Sequence, residues 1–363
     1  MTSLLQAKKL VEEAFLKRPD VIGVGVDEIT STIKIYIDCE EHCDVESIPG
    51  TIGGYAVEII PIGAFEPLSD NGYRTLKFRP VVGGISAGHM NISTGTIGAV
   101  VRDKITGNKL LLSNNHVFAN SSSETNCAAR EGDQIFQPGR SDGGGYEDTV
   151  ATLYRWVPFK DNEPNLVDAA LAIPINQDDA SLYILASHDL DVVPVHSATP
   201  ITKPITVKKY SRTSDMDVGK VIDWNFSVAV DYKDGITRNF VDQILVKIQT
   251  QGGDSGSLLL DDDNNAVGLI FAGGEDNSGN YYGVANKIRN VLVMFGGDVD
   301  ISDGWSSSDP VGEKPLFVYE NPDDNPGSEP VDNEPLRSSD GISLSGLALA
   351  GAGLVLMSIL VGG

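Results

Sequence analysis

Short apolar runs separated by turn residues dominate the chain from Arg79 onward. TIGAVVRD, KLLLSNN, ATLYRWVPF, DAALAIPI, PITVKKY, KVIDWNF, DQILVKI, GSLLLDD and AVGLIFAG follow one another between Gly, Asn, Asp and Pro turns. Runs of this length are typical of strands, and a long succession of them indicates an all-β sandwich or a pair of barrels. The segment from Ala285 to Met294 predicts a helix that closes this region.

The N-terminal part of the chain has a different pattern. Apolar residues of the first eighteen positions recur at helical spacing, and Pro19 ends the segment. VIGVGV, IKIYI and YAVEIIPIG then follow as short runs rich in β-branched residues, with Gly and Pro between them. Residues 1–76 are therefore predicted to form a small α/β unit ahead of a mainly β domain.

The C-terminus carries an uncharged apolar stretch. Ile342 to Val361 are twenty residues without a charge, enough for a helix to cross a hydrocarbon core of roughly 30 Å. Residues 342–361 are predicted to be a transmembrane helix; a removable sorting or anchor-exchange tail and a buried or disordered tail are the alternatives. No cleaved secretory signal is evident. A single C-terminal span would leave the preceding domain in the cytoplasm, while a leaderless exported form is the other possibility.

Charge and cysteine content narrow the function classes. The chain has 27 basic and 51 acidic residues, a net charge of −24, and three cysteines. This balance argues against a nucleic-acid partner and against adsorption to anionic lipid, and three cysteines cannot make a disulfide framework. Residues 298–340 carry twelve acids, two bases and six prolines, so 298–341 reads as an acidic Pro-rich linker. About −14 remains elsewhere, as expected of a halophilic protein or of an ordinary acidic cytoplasmic one.

Three local motifs of the β-rich region could carry chemistry. LLLSNNHVFAN centres on His116, NLVDAALAI on Asp168 and QGGDSGSLLL on Ser255. Each motif alone fits a core histidine, a turn aspartate or a tight turn. Together they provide a serine nucleophile, an imidazole to take its proton and a carboxylate to orient that imidazole. The glycines around the serine would leave the N–H groups of Gly253 and Ser255 free to stabilise an oxyanion.

The chain order His, Asp, Ser is that of the chymotrypsin double barrel. From about Pro80 to Phe295 the sequence resembles trypsin-like serine peptidases through SNNHV, VDAALA and GGDSGS. The longer segments PVVGGISAGHMNISTGTIGAVVRDKITGNKLLLSNNHVFA, VKKYSRTSDMDVGKV and AVGLIFAGG are similar to microbial peptidases related to the plant narrow-leaf proteins, over roughly residues 15–297. The resemblance implies a chymotrypsin-like double β-barrel over 77–297, built from two six-stranded barrels, with His116 and Asp168 on the first and Ser255 on the second.

The same resemblance suggests a specificity pocket. Its base would lie six residues before the nucleophile, at Gln249, where a neutral amide disfavours a basic substrate side chain. Phe271, Ala272 and Gly273 would form the opposite wall and pair with the substrate backbone as an added strand. Either a small apolar or a polar uncharged side chain would fit.

One further acid and one cysteine-rich segment need an interpretation. Asp254 precedes the nucleophile and is expected to be a structural acid, because Pro80 after Arg79 disfavours activation by cleavage at the Val81-Val82-Gly83-Gly84 segment. Cys39, His42 and Cys43 have a spacing that could contact a metal, but an ordinary loop is the better interpretation without a second pair of ligands.

The functional expectation is therefore a serine endopeptidase that acts on a protein or peptide substrate. Ser255 would carry the acyl group, and no metal or organic cofactor would be needed. The alternative is a catalytically silent peptide-binding or membrane-tethered scaffold with the same fold.

Overall fold

The fold is described from a computed structural model of the chain. The described residues are 3–18, 20–38, 47–62, 72–276 and 278–302, with the backbone of 318–320 and 355–356. The helices are α1 (Leu4–Phe15), α2 (Asn115–Phe118) and α3 (Ile288–Met294). The strands in chain order are β1 (Val21–Asp27), β2 (Thr32–Ile37), β3 (Thr51–Ile52), β4 (Tyr55–Pro61), β5 (Lys77–Arg79), β6 (Val81–Gly83), β7 (Ser86–His89), β8 (Gly95–Thr96), β9 (Ala99–Asp103), β10 (Lys109–Ser113), β11 (Gln134–Phe136), β12 (Thr149–Trp156), β13 (Ala170–Pro174), β14 (Ala180–Leu185), β15 (Val192–Pro194), β16 (Thr206–Ser211), β17 (Asp215–Asp231), β18 (Thr237–Lys247), β19 (Leu258–Leu260), β20 (Ala266–Glu275), β21 (Tyr281–Lys287), β22 (Val299–Asp300), β23 (Val318–Glu320) and β24 (Val355–Leu356).

Helix α1 begins with a reciprocal cap. The Ser3 side chain accepts the backbone N–H of Gln6, and the Gln6 side chain accepts the backbone N–H of Ser3, so two otherwise unpaired donors are satisfied. Ala7 and Val11 lie one turn apart on the buried face of the helix. They pack into an apolar cluster with residues of β1 and β2 such as Val24.

The first barrel-like sheet has eight strands in the spatial order β22-β9-β10-β13-β12-β11-β7-β8. Its central strands are antiparallel and almost entirely buried. The sequence resemblance implies six strands, so the short strands at the ends of this sheet are additional. Val100, Leu111 and Ala172 contribute to one apolar cluster, and Val101, Leu112 and Leu171 to a second. Consecutive residues enter different clusters because side chains alternate between the faces of a strand.

The second barrel-like sheet closes on itself. Strands β16, β19, β20, β21, β18 and β17 are neighbours in that order, and β16 also pairs with β17. These six strands therefore form a ring, which is the number that the resemblance implies. Val207, Val221, Ile244, Leu259 and Ile270 come from different strands of the ring and fill its interior. A mainly β fold with two barrel-like sheets, predicted from the pattern of short strands, is confirmed.

The N-terminal strands continue the second sheet. Strand β1 pairs antiparallel with β17, with Gly23 opposite Val228, and the order goes on through β2, β4 and β3. Gly23 is required at this junction, since a Cβ there would lie 2.3 Å from the Phe226 ring. The buried Asp223 of β17 accepts the backbone N–H of Val26 at 2.7 Å. The N-terminal unit and the second barrel thus share one sheet of ten strands.

Two three-stranded sheets complete the architecture, in the orders β15-β14-β6 and β24-β23-β5. The helix predicted from Ala285 to Met294 is shorter in the structure, because α3 begins only at Ile288. Ala285 and Asn286 instead pair with β20 as the end of strand β21. Their inter-strand hydrogen bonds outweigh the helical spacing of the local sequence.

Several predicted segments lie outside the described residues. They include Cys39, His42 and Cys43, nearly all of the predicted linker, and the predicted transmembrane helix at 342–361 apart from the two residues of β24. Within the part of the chain that the structure describes, no helix has the length and apolar character needed to cross a membrane.

Candidate active site

His116 lies in the one-turn helix α2, which directly follows strand β10 of the first sheet. Two asparagines hold this turn against neighbouring backbone. Asn114 Nδ2 donates to the Asp168 carbonyl at 2.8 Å, and Asn115 Nδ2 donates to the Val157 carbonyl at 2.7 Å. The His116 side chain is 20% exposed, so the fixed turn still presents part of the ring to solvent.

Asp168 faces the ring of His116 from the segment just before strand β13. Its carboxylate is fully buried and lies 2.5 Å from His116 Nδ1, and it also accepts the His116 backbone N–H at 3.2 Å. The Asp168 backbone N–H donates to Asn286 Oδ1 at 2.9 Å. Since Asn286 belongs to β21, the second barrel helps to hold the aspartate of the first. A carboxylate at Nδ1 keeps a proton on that nitrogen and leaves Nε2 as the basic atom.

Tyr232 is a third partner of this pair, and sequence reasoning did not identify it. It follows β17 at the tip of the β17–β18 hairpin, and its hydroxyl donates to Asp168 Oδ2 at 2.9 Å. The ring packs edge-on to His116 with centroids 5.7 Å apart. Burial, followed by the adjacent Asp168 carboxylate, raises the pKa of Tyr232 well above its usual value, so the hydroxyl remains a donor. No local motif marks this tyrosine, because its role depends on a contact 64 residues away in sequence.

Ser255 lies on the loop between β18 and β19. Its hydroxyl donates to the Phe271 carbonyl at 3.4 Å, a long and weak hydrogen bond. Its own carbonyl accepts the Thr96 N–H at 2.8 Å, which ties the loop to the first barrel. Among the hydrogen bonds of the described residues none joins His116 to Ser255, yet both side chains line one cleft.

Two glycines shape the loop around Ser255. Gly253 and Gly256 have φ of +93° and +96°, in the left-handed region that favours glycine. A Cβ on Gly253 would lie 2.5 Å from Thr213 Oγ1, and one on Gly256 would lie 2.2 Å from the Thr96 carbonyl oxygen. Neither the Gly253 amide nor the Ser255 amide donates to a protein acceptor within the described residues. Two N–H groups are therefore unpaired beside the Ser255 hydroxyl.

Asp254 is held by a buried ion pair, as expected for a structural acid. Lys209 Nζ lies 2.9 Å from its Oδ2, and neither side chain is more than 1% exposed. The backbone N–H groups of Thr213, Ser214 and Gln251 donate to the same carboxylate at 2.9–3.1 Å. Burial alone would raise the pKa of Asp254, but Lys209 and these donors keep it below its ordinary value. The residue before Ser255 is thus paired with a buried lysine.

A second buried ion pair lies on the other side of the loop. The Arg212 guanidinium pairs with the Asp142 carboxylate, and both side chains are almost fully buried. Thr96 Oγ1 accepts the Arg212 backbone N–H at 3.1 Å and donates to the Gly253 carbonyl at 2.6 Å. The ion pair and the threonine connect the Gly253 turn to the first barrel.

A cleft of about 720 Å³ runs between the two barrels and contains these groups. One side comes from the first barrel, the other from the loop that carries Ser255 and from β20, and a third part of the lining comes from the β17–β18 hairpin. The lining residues are Asn91–Thr94, His116, Asn120, Ser121, Ser141, Arg212, Val230–Lys233, Thr250–Ser255 and Ile270–Gly273.

The predicted substrate-binding residues divide into two groups. Phe271, Ala272 and Gly273 line the cleft beside Ser255. Gln249 is exposed, donates its backbone N–H to Asp217 Oδ2 at 2.7 Å and is not among the lining residues. The next residue, Thr250, points into the cleft region instead, because adjacent side chains of an extended segment face opposite ways.

Within the described ranges, no cluster of three or more His, Cys, Asp or Glu side chains could hold a metal ion. Cys127 is an exposed free thiol. The cleft contains an imidazole, a hydroxyl and two unpaired backbone N–H groups, from His116, Ser255 and the Gly253–Ser255 segment.

The fold of the chain is similar to that of several solved structures. Neither a family model nor a curated protein matches the chain. Thermobifida fusca protease A is 17% identical, with 61% of this chain and 97% of that chain covered and a TM-score of 0.44. A glutamic-acid-specific serine protease that uses a histidine triad in substrate binding is 18% identical, with 61% and 99% covered and a TM-score of 0.46. Cellulomonas bogoriensis chymotrypsin is 19% identical, with 61% and 97% covered and a TM-score of 0.41.

These neighbours are proteases of chymotrypsin fold. The narrower resemblance to the relatives of the plant narrow-leaf proteins is not tested by them and stays a prediction.

Proposed function

We propose that this protein is a serine endopeptidase that forms an acyl-enzyme on Ser255. The observation that carries the proposal is the 2.5 Å contact between the buried Asp168 carboxylate and His116 Nδ1, in a cleft that Ser255 also lines. A histidine oriented in this way can act as a base at Nε2 toward a neighbouring hydroxyl.

The reaction follows from the roles of these groups. His116 Nε2 takes the proton of Ser255 as the hydroxyl oxygen bonds to the carbonyl carbon of the substrate. The negative charge that develops on the carbonyl oxygen is stabilised by the unpaired N–H groups of Gly253 and Ser255. The C–N bond then breaks as His116 returns the proton to the leaving amine, and a water molecule releases the acyl group by the same route in reverse.

The proposed reaction requires the Ser255 hydroxyl to change its hydrogen-bond partner. Ser255 Oγ donates to the Phe271 carbonyl at 3.4 Å in the unliganded site. Catalytic hydrogen bonds are often long in unliganded enzymes and shorten when substrate binds. In the proposed complex with substrate, the Ser255 hydroxyl gives up this weak bond and donates to His116 Nε2.

The strand β20 could bind the main chain of a peptide. Ala272 and Gly273 pair with β21 on one side, where they lie opposite Val284 and Gly283. On the other side the ladder with β19 ends at Leu269, and the residues beyond it face the cleft. A substrate in extended conformation would continue the sheet there and position its carbonyl at Ser255.

Active-site labelling tests the proposal. A fluorophosphonate probe should label the full chain, and Ser255→Ala should abolish the labelling because the nucleophilic oxygen is removed. Ser278→Ala, at an exposed serine in a turn, is the matched control and should label like the wild type. Labelling that persists in Ser255→Ala, or a wild-type protein that does not react, would favour the silent peptide-binding scaffold instead.

A further inference from the structure

One end of the cleft, beside Ser255, is lined by the Thr250–Gly253 segment and by Ile270–Gly273 of strand β20. A peptide paired with β20 and acylating Ser255 would direct the side chain of the residue before the scissile bond into this end. The shape of this end therefore controls which residue is accepted at that position, called P1.

Thr250 occupies the end of this space. Its side chain is buried, with the residue 3% exposed, and its hydroxyl donates to the Tyr282 carbonyl at 2.7 Å. The hydrogen bond fixes the β-branched side chain in one rotamer. Thr250 is therefore a rigid floor and cannot swing aside for a longer substrate side chain.

A pair of glycines faces this threonine. Gly273 of β20 and Gly283 of β21 are directly opposite each other in the ladder. A Cβ on Gly273 would lie 2.3 Å from Thr250 Oγ1, and one on Gly283 would lie 3.0 Å from Thr250 Cγ2. The space that the two glycines leave open on the sheet is thus already filled by the threonine side chain.

Asp254 and Arg212 line the cleft on the Ser255 side and already have partners, whereas the charged residues Asp231 and Lys233 belong to the β17–β18 hairpin at another part of the lining. Asp254 is paired with Lys209, and Arg212 with Asp142, and all four side chains are buried. A charged P1 side chain would lose its hydration without gaining a counterion.

We propose that Thr250 restricts P1 to small uncharged residues such as glycine, alanine and serine. This inference rests on the proposed peptidase function and names its substrate class. Thr250 is a specificity-determining residue that acts through its volume.

The test uses peptidyl diphenyl phosphonates, which react with the serine nucleophile and differ only in the P1 side chain. Second-order inactivation rates of the full chain are measured with P1 alanine, phenylalanine, lysine and glutamate. We expect the alanine probe to react at least about tenfold faster than each of the other three, the discrimination typical of a pocket that is too small. Labelling by a simple fluorophosphonate, which lacks a P1 side chain, is recorded in parallel and reports the nucleophile independently.

Two variants separate volume from hydrogen bonding. Thr250→Gly removes the floor, so the ratio of phenylalanine to alanine rates should rise at least about tenfold. Thr250→Val keeps the volume and loses the hydroxyl, so it should retain the preference for alanine. If the simple probe labels Ser255, two results with the phosphonates overturn the inference: the phenylalanine, lysine or glutamate probe reacts as fast as the alanine probe, or none of the four reacts. An equal change of the phenylalanine-to-alanine ratio in both variants also overturns it. Failure of the simple probe itself counts against the proposed function.

Discussion

At the scale of single residues, Tyr232 adds a third hydrogen-bonding partner to the pair of His116 and Asp168. Asp168 is fully buried, and a buried carboxylate needs several hydrogen-bond donors to replace the hydration that it has lost. It has His116 Nδ1, the His116 backbone N–H and the Tyr232 hydroxyl. Tyr232 is thus a positioning residue that acts on His116 through Asp168.

Replacement of this tyrosine has a predicted signature. Tyr232→Phe removes a donor from the Asp168 carboxylate, whose charge then acts more strongly on a protonated His116. The acid limb of the profile of kcat/KM against pH should therefore move to higher pH, by up to about one unit. Loss of a hydrogen bond to a charged group should also lower the free energy of unfolding by about 1.5–3 kcal/mol.

The control is Tyr146→Phe, at an exposed tyrosine away from the cleft. It should leave both the pH profile and the urea midpoint unchanged. If the acid limb of kcat/KM against pH is the same for Tyr232→Phe and the wild type, Tyr232 contributes to packing and does not position His116.

Some residues of the site can be predicted from the sequence and others cannot. His116, Asp168 and Ser255 stand in recognisable local motifs, because each needs particular neighbours in the chain. Thr250 and Tyr232 have no such neighbours. Thr250 rather than its neighbour Gln249 lines the cleft, which only the course of the folded chain decides. Tyr232 reaches Asp168 because the tip of the β17–β18 hairpin packs against the first barrel.

At the scale of elements, the β17–β18 hairpin connects three parts of the molecule. Strand β17 is seventeen residues long, belongs to the closed second barrel and pairs with β1 of the N-terminal unit. The tip of the same hairpin carries Tyr232 to Asp168. The pattern of short strands predicted the strands themselves, whereas pairing between β1 and β17 depends on contacts about two hundred residues apart that no local pattern contains.

The junction between β1 and β17 gives a prediction about pH. Burial raises the pKa of Asp223 from its ordinary 3.8 to about 6, while the backbone N–H groups of Asn225 and Val26 and the cation of Lys8 act in the opposite direction. Between these pH values the folded protein binds more protons at this group than the unfolded chain does. Its contribution to stability is complete below pH 3.8 and is lost as the pH rises through about 6.

Asp223→Asn should remove this dependence. From pH 4 to pH 7, the free energy of unfolding of the wild type should fall relative to the variant by about 2–3 kcal/mol, since each unit of pKa shift corresponds to about 1.4 kcal/mol. Urea denaturation at several pH values measures the difference. Asp262→Asn, at an exposed turn, is the matched control and should follow the wild type; parallel curves for all three proteins would contradict the prediction.

At the scale of the whole molecule, charge is the dominant property. The net charge is −24, and about −14 lies outside the acidic segment 298–340. Like charges on a compact surface repel one another, and salt screens the repulsion at distances beyond about 10 Å at 0.1 M. We therefore expect the melting temperature of the full chain to rise by several degrees from low salt to molar KCl.

A charge-reduced variant is the control for this expectation. Asp178, Asp179, Asp262 and Asp263 are exposed turn residues, and their replacement by asparagine removes four negative charges. The variant should melt higher than the wild type at low salt and gain less from KCl. A wild-type melting temperature that does not respond to KCl would contradict the role assigned to the acidic surface.

The proposed function depends on a covalent acyl intermediate on Ser255, formed with His116 and Asp168 as its partners. The most direct measurement is mass spectrometry of the full chain, quenched in acid shortly after mixing with an activated ester of a peptide that ends in alanine. We expect one added acyl mass on the proteolytic fragment that contains Ser255, and none in Ser255→Ala or in His116→Ala at the same time point. An acyl group on a different residue, or no acyl group in the wild type, would contradict it.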